Sequence, residues 1–282
     1  MINSIWILAA VGLFAGIIGA IFGIGGGMLV TPIMTIALGL DIKYAIGASV
    51  ISVIATSSGA SIAYLKDDML NLRVSMFLEI ATTVGAILGA ILTGILAPQI
   101  IYILFGLLLI FSSWNMLIKM RAGSKDIKKV SPDNLSEKLK LNSSYYDKAS
   151  ARQVDYQVSN VPGGFTMMFG AGLASGLLGI GSGAFKVIAM DAIMKMPLKP
   201  SSATSNLMMG VTAATSATIY FFNGSIKPEI AAPLALGILT GATLGSRLMQ
   251  HLEAKLLRKI FIPILFLIGL QMFLKGFGVN FG

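Results

Sequence analysis

The sequence predicts an all-α polytopic membrane protein made of two repeats, and three observations carry that prediction. Of its 282 residues, 55% are hydrophobic and only 12% are charged, about half the charged share of a soluble domain, and the mean hydropathy is +0.83. Several apolar runs approach the ~20 residues a helix needs to cross ~30 Å of hydrocarbon: Val74 to Leu96 carries Glu79 as its single charge, and Ile100–Ile118, Ser201–Phe222 and Ile260–Leu274 carry none. Gly23-Ile24-Gly25-Gly26-Gly27 returns as Gly179-Ile180-Gly181-Ser182-Gly183, a shift of 179 − 23 = 156.

The same shift pairs Met34 with Met190, Lys43 with Lys199, Ser49 with Ser205, Tyr64 with Tyr220, Gly89 with Gly245 and Phe105 with Phe261. Roughly one position in five is identical between Ala15–Lys119 and its shifted copy, and such self-similarity sets the architecture before any side-chain chemistry. Each half reads as one interrupted or re-entrant unit followed by three spans. The first half gives Ile5–Leu40, then Tyr44–Tyr64, Arg73–Ala97 and Ile100–Lys119; the second gives Gly164–Met196, then Ser201–Phe222, Glu229–Gln250 and Leu256–Lys275. The expected division is 1–120 for the first membrane repeat, 121–161 for a polar linker and 162–282 for the second repeat. The linker holds eight Lys/Arg, five Asp/Glu and the turn-prone Ser131-Pro132-Asp133-Asn134, and reads as a solvent loop with at most a short helix.

Loop charges favour an inverted relation between the halves. A basic excess marks the cytoplasmic side, which places the linker there. The turn Ala97-Pro98-Gln99 has no basic residue, whereas its repeat partner around Glu253–Lys255 is flanked by Arg247, Lys255, Arg258 and Lys259. Equivalent loops of opposite character belong on opposite faces. Three spans plus a unit that returns to its own side leave Lys43, Lys227 and Lys275 as the external lysines. The net charge of +9 is thereby assigned to orientation beside anionic lipid, not to nucleic acid. The N-terminus has no basic n-region, which argues against a cleaved signal peptide.

Glycine lowers the barrier to leaving helical geometry, and freed backbone groups in lipid cost several kcal/mol each unless something satisfies them. The segment after the first break, Met28 to Leu40, would be only ~20 Å long as a helix, too short to span. Pro32 falls in its first turns, where a missing amide hydrogen matters least. Matching glycine-interrupted segments in two halves are a pointer to the binding site of a secondary transporter. The amide-rich starts of the second half-helices, near Gly25, Gly26 and Gly27 and near Gly181, Ser182 and Gly183, suit an anion. The bland alternative is close packing of helices.

Gly23-Ile24-Gly25-Gly26-Gly27-Met28-Leu29-Val30-Thr31-Pro32 with Ala45-Ile46-Gly47-Ala48-Ser49, and Ser175–Val187 with Pro197-Leu198-Lys199 and Ala203-Thr204-Ser205-Asn206, resemble the two repeats of the TauE/SafE, or sulfite-exporter, family. The resemblance implies a multi-pass permease of a prokaryotic inner membrane, associated with organosulfur anions such as sulfite and sulfonates. Two departures stand out: Ser182 occupies the place of a usual glycine, and Ile188 that of a frequent proline.

Lys186 lies three residues past the second break, at membrane depth, where a charge costs at least ~2.5 kcal/mol and faces a cavity or a partner. Three roles fit it: reading an anion's charge, pairing with Asp191, or snorkelling to the interface. Glu79 has no evident local partner and is a candidate carrier of a coupling proton, or else a helix cap or a charge facing the cytoplasmic surface; Asp191 divides between pairing with Lys186 and an interfacial charge, and is the second candidate for coupling. Ser49, Thr204, Ser205 and Asn206 are candidate donors to oxyanion oxygens, or interhelical hydrogen bonds. Arg247 and His251 read as residues of the cytoplasmic end, and the sixteen methionines as helix filling.

Absent cysteine and a single histidine leave no thiol chemistry and no ready metal site, and no cofactor is expected. No nucleophile–base pair is evident, and no phosphate loop ending in Lys-Ser/Thr is present. The expectation is a secondary transporter of a small anion, sulfite or an organosulfonate, working by alternating access, with the bilayer and a coupling ion such as a proton as partners. Another carboxylate or amino-acid-like solute, or an anion channel, fits the same residues.

Overall fold

The computed structural model of the protein describes residues 2–22, 25–66, 69–122, 133–147, 152–248 and 254–279. The first half gives α1 (Ile2–Phe22), α2 (Gly27–Pro32) continued by a π-turn (Ile33–Ala37), α3 (Ile42–Lys66), α4 (Leu72–Ile95) and α5 (Pro98–Ala122). The second gives α7 (Val161–Leu178), α8 (Gly183–Ile188) with its own π-turn (Ala189–Ile193), α9 (Leu198–Phe222), α10 (Pro228–Leu248) and α11 (Ala254–Gly276). Between them lie α6 (Asn134–Lys138) and an antiparallel hairpin of β1 (Ser143–Asp147) and β2 (Arg152–Tyr156). The first residues of α2, α3, α4 and α5 map by 156 onto those of α8, α9, α10 and α11.

Local chemistry explains the starts. Pro98, Pro162 and Pro228 occupy first-turn positions, where the missing N–H costs nothing. Asn71 caps α4 by accepting the Val74 amide hydrogen at 3.1 Å, one of the orphan donors of a helix start. Among the described residues, five segments are long and apolar enough to cross a membrane: Ile42–Ile62, Leu72–Ile95, Pro98–Asn115, Val161–Leu178 and Pro228–Ser246. The most apolar window of α3 is 72% buried against 39% for α5, which sets α3 at the centre and α5 toward lipid. Its counterpart α9 buries Thr204, Ser205, Asn206, Thr212 and Ser216 completely. Surrounded by other helices, it has no need of a wholly apolar surface.

Glycines fix the direction of the helix pairs. A methyl group on Gly12 would fall on the Leu234 backbone, one on Gly16 on Ile238, and one on Gly245 on Ile17, so α1 and α10 run side by side in the same direction. The equivalent pair α7 and α4 does likewise: Gly172 faces Thr82, and Gly176 faces Ala86. α5 and α11 run oppositely, with Gly106 against Phe273 and Gly276 against Gln99. Helices α5 and α11 are repeat equivalents, and opposite directions for equivalents are what an inverted relation requires. The lysines agree with it. At the far end of α4 from the linker, Lys43 donates to Gly94 O at 3.4 Å; at the linker end, Arg73 donates to Lys140 O at 3.0 Å.

The linker departs from the solvent loop the sequence implied. Leu141, Tyr145, Val154, Tyr156 and Val158 are buried with Val74 and Leu78 of α4, Met168 of α7, Met190 of the second π-turn and Met194 just after it. The reason is the alternation of exposed and buried side chains along β2, a period-2 signal too short to stand out among charges. Asp133 clamps the start of this unit, accepting from Ser136 N at 2.7 Å and Val161 N at 2.9 Å.

Gly170→Leu is expected to leave the purified protein monodisperse, since a side chain there meets open space, whereas Gly172→Leu drives its side chain onto the Thr82 backbone. Overpacking of this kind costs about 1–3 kcal/mol; thermal unfolding in detergent compares the two. Burial raises the pKa of Asp133, but the amide hydrogens of Val161 and Ser136 outweigh it and hold the carboxyl below its ordinary value. A depressed folded-state pKa stabilises above the unfolded-state value and is lost as pH falls through the folded one. Proteolysis of the linker is therefore expected to quicken at acid pH in the native chain and already at neutral pH in Asp133→Asn.

Candidate functional site

The two breaks meet. Gly25 and its equivalent Gly181 both take left-handed backbone, with φ of +77° and +70°, conformations open to glycine at little cost. Ser182 follows with φ +45°. The Ser49 hydroxyl sits between the breaks, 2.9 Å from Gly27 O of the first and 2.7 Å from Gly179 O of the second. Ser205, the equivalent of Ser49, donates to Gly183 O, the equivalent of Gly27, at 3.1 Å. The amide of Gly26 donates to Thr56 Oγ1 at 3.1 Å. Buried backbone groups freed by the breaks thus find partners in side chains of the following helix, as a water-free setting demands.

Several residues expected to face an anion are therefore turned onto the chain itself. The Ser182 hydroxyl donates to Ala171 O at 2.5 Å. Thr204 Oγ1 accepts the Asn71 amide hydrogen at 3.1 Å, and Asn206 Nδ2 donates to Ser202 O at 3.1 Å, leaving Asn206 Oδ1 buried and unpartnered. The replaced proline at Ile188 does not alter the second unit, because α2 and α8 start at equivalent glycines and pass into π-turns at equivalent residues. Gly23, Ile24 and His251 lie outside the described residues.

Lys186 is fully buried. Its ammonium donates to Thr212 Oγ1 at 2.5 Å, and the same hydroxyl lies 2.7 Å from Glu79 Oε1. The carboxylate that shares this hydroxyl with Lys186 is Glu79, from the opposite half of the chain; the sequence had weighed Asp191 of the same half. Asp191 is half-buried on the second π-turn. A charge left alone in hydrocarbon costs at least ~2.5 kcal/mol, and a buried pair tolerates it only with good geometry and further hydrogen bonds. Here the threonine bridge supplies them. Glu79 Oε2 is buried and has no hydrogen-bond partner.

This cluster has no copy. By the shift of 156, Lys186, Thr212 and Glu79 correspond to Val30, Thr56 and Ala235. The threonine is kept and both charges are missing. Thr56 serves the backbone of Gly26, whereas at the position of Gly26 the second repeat has Ser182. Its side chain occupies the space beside the break and bonds to Ala171, and Thr212 is turned to the charged pair. The sequence reading missed Thr212 and Asn71. Identity of Thr56 and Thr212 at the repeat spacing was the available signal.

The chain matches the family described as Sulfite exporter TauE/SafE over residues 8–272. It is 27% identical to the probable membrane transporter protein YunE of Bacillus subtilis, covering 97% of this chain and 98% of that one. A probable membrane transporter protein of Methanocaldococcus jannaschii is 28% identical over 95% of both chains. One from Haemophilus influenzae is 24% identical, with 98% of this chain and all of the other aligned. No solved structure matches. These names describe membrane transporters, not enzymes.

Ser49→Ala removes the one hydroxyl hydrogen shared between Gly27 O, inside α2, and Gly179 O, beyond the end of α7; Ser205→Ala removes one given to Gly183 O, inside α8. A buried group left unsatisfied costs about 1–3 kcal/mol, so both variants should unfold at lower temperature than the native chain in detergent, Ser49→Ala lower still. Equal, unshifted midpoints would remove the breaks' hydroxyl partners from the account.

Proposed function

This chain belongs to the sulfite exporter TauE/SafE family of membrane transporters, and we propose that it is a secondary transporter of a small anion, sulfite or an organosulfonate. The observation that carries the reading is Lys186: a fully buried cation on the half-helix that begins at the second break. An anion's charge is met there by a group already stripped of water, so little reorganisation is needed on binding. The backbone of Gly25–Gly27 and Gly181–Gly183 lines the meeting point, with Ser49, Thr204, Ser205 and Asn206 supporting it from behind, and the family's description supports a sulfur oxyanion.

Alternating access follows from the opposed directions of equivalent helices. A site enclosed between two such repeats opens to one face or the other as one repeat rocks against its partner. The end bearing the linker, Arg73 and Lys195 is the cytoplasmic face of a prokaryotic inner membrane, on the rule that basic loops stay inside; Lys43, Lys227 and Lys275 mark the external end.

Vesicles loaded by the native chain should concentrate labelled sulfite or sulfoacetate above the external level, with acetate and taurine as comparison solutes. Losing a charge-assisted hydrogen bond removes about 1.5–3 kcal/mol, so Lys186→Ala should weaken apparent affinity roughly 10- to 100-fold. Unchanged flux of every anion in Lys186→Ala overturns the site; flux that only equilibrates makes the protein a channel.

A further inference from the structure

We propose that Glu79 is the exchangeable counter-charge of this site: the substrate anion takes its place opposite Lys186, Glu79 takes up a proton, and one proton crosses with each singly charged anion. The inference rests on the anion-transport reading above and adds its coupling.

The argument starts from the absent copy. The repeats share Thr56 and Thr212, but the positions equivalent to Lys186 and Glu79, the partners of Thr212, hold Val30 and Ala235. A lysine kept solely for structure would be served by any fixed acceptor. Instead its counter-charge comes from the other half, through a single hydroxyl that separates the two charged groups. An element of the second half thus holds the cation, and an element of the first holds the carboxylate.

Thr212 is built for both protonation states. Its hydroxyl has one hydrogen and two acceptors at the same 2.7 Å, Glu79 Oε1 and Met208 O. With Glu79 charged, that hydrogen points to the carboxylate. With Glu79 protonated, it turns to Met208 O, and Glu79 donates to Thr212 Oγ1 across the same distance. Glu79 Oε2, buried and unpartnered, is the oxygen with room for a new bond. Other ionisable groups lie on some of the elements packed around Glu79. Helix α7 has none in its sequence. Arg73 of α4 binds Lys140 O, Tyr220 of α9 bonds to Thr93 Oγ1 and Gly176 O, Lys199 is exposed at the start of α9, and Asp191 lies on the π-turn beyond α8.

The charge balance makes the idea testable. The empty site carries Lys186 ammonium and Glu79 carboxylate, net zero. The loaded site carries ammonium, anion and neutral carboxylic acid, also net zero. Both forms cross without moving charge, and the proton leaves Glu79 when the anion leaves Lys186.

Purified protein in proteoliposomes is tested with labelled methanesulfonate, and with labelled sulfite at an acidic pH that keeps it singly charged. The native chain should accumulate anion under an imposed pH gradient and ignore a potassium diffusion potential. Glu79→Gln, whose empty form carries a net positive charge, should lose pH-driven accumulation and become sensitive to the potential, while exchange of labelled for unlabelled anion stays measurable. Should exchange vanish too, Glu79→Asp, which keeps a titrating carboxylate, decides: surviving pH-driven accumulation supports the proposal, and its loss overturns it. Accumulation in Glu79→Gln equal to the native chain, or native flux driven by potential and indifferent to pH, overturns the coupling alone. No native flux of either anion overturns the transport reading and this inference with it.

Discussion

Everything at the centre of this protein depends on giving partners to backbone that has left the helix where no water can reach it. Each break frees carbonyl and amide groups, and hydrocarbon offers them nothing. The Ser49 hydroxyl lies between Gly27 O of one half and Gly179 O of the other and shares its one hydrogen between them. That single hydroxyl holds the breaks against each other. It also explains why small polar residues gather at the start of α3 and α9, the two central helices. Their first duty is to the chain.

Duplication then makes the asymmetry informative. Equivalent elements begin at equivalent residues, and equivalent pairs lock through glycines, so a departure from the pattern stands out against a close internal reference. At the breaks the departures concentrate in one place. Ser182 replaces Gly26, Lys186 replaces Val30, and Glu79 faces them where the other half has Ala235. Neutral membrane helices pack through small residues and dispersion. A fully buried cation and its part-buried carboxylate, found at one break and not at the other, are the reason for proposing that break as the working one.

Much of this was legible in the sequence, for physical reasons. The repeat, the breaks and the span starts are written in glycine, proline and apolar length, which are local signals. Lys186 was conspicuous because a cation in an apolar run is rare. Its partner was not, because Glu79 and Thr212 stand 133 positions apart in the chain and no periodicity links them. The hydroxyls were read as donors to a ligand because their residue type is visible, while the carbonyls they serve are not. The hairpin between the halves escaped notice since five-residue strands among lysines leave only a faint alternation, yet it buries Tyr145 and Tyr156 against the second half.

The central claim is that the meeting point of the breaks opens to one face at a time. Met209, fully buried and beside both Gly25 and Gly181, offers a probe in a chain without cysteine. Met209→Cys leaves Lys186 and Glu79 in place, and its reaction with a membrane-impermeant thiol reagent can be followed from each face of oriented vesicles. The account predicts reaction from one face at a time, with the favoured face changing when saturating anion is added. A thiol equally reactive from both faces regardless of anion, or reactive from neither, contradicts it.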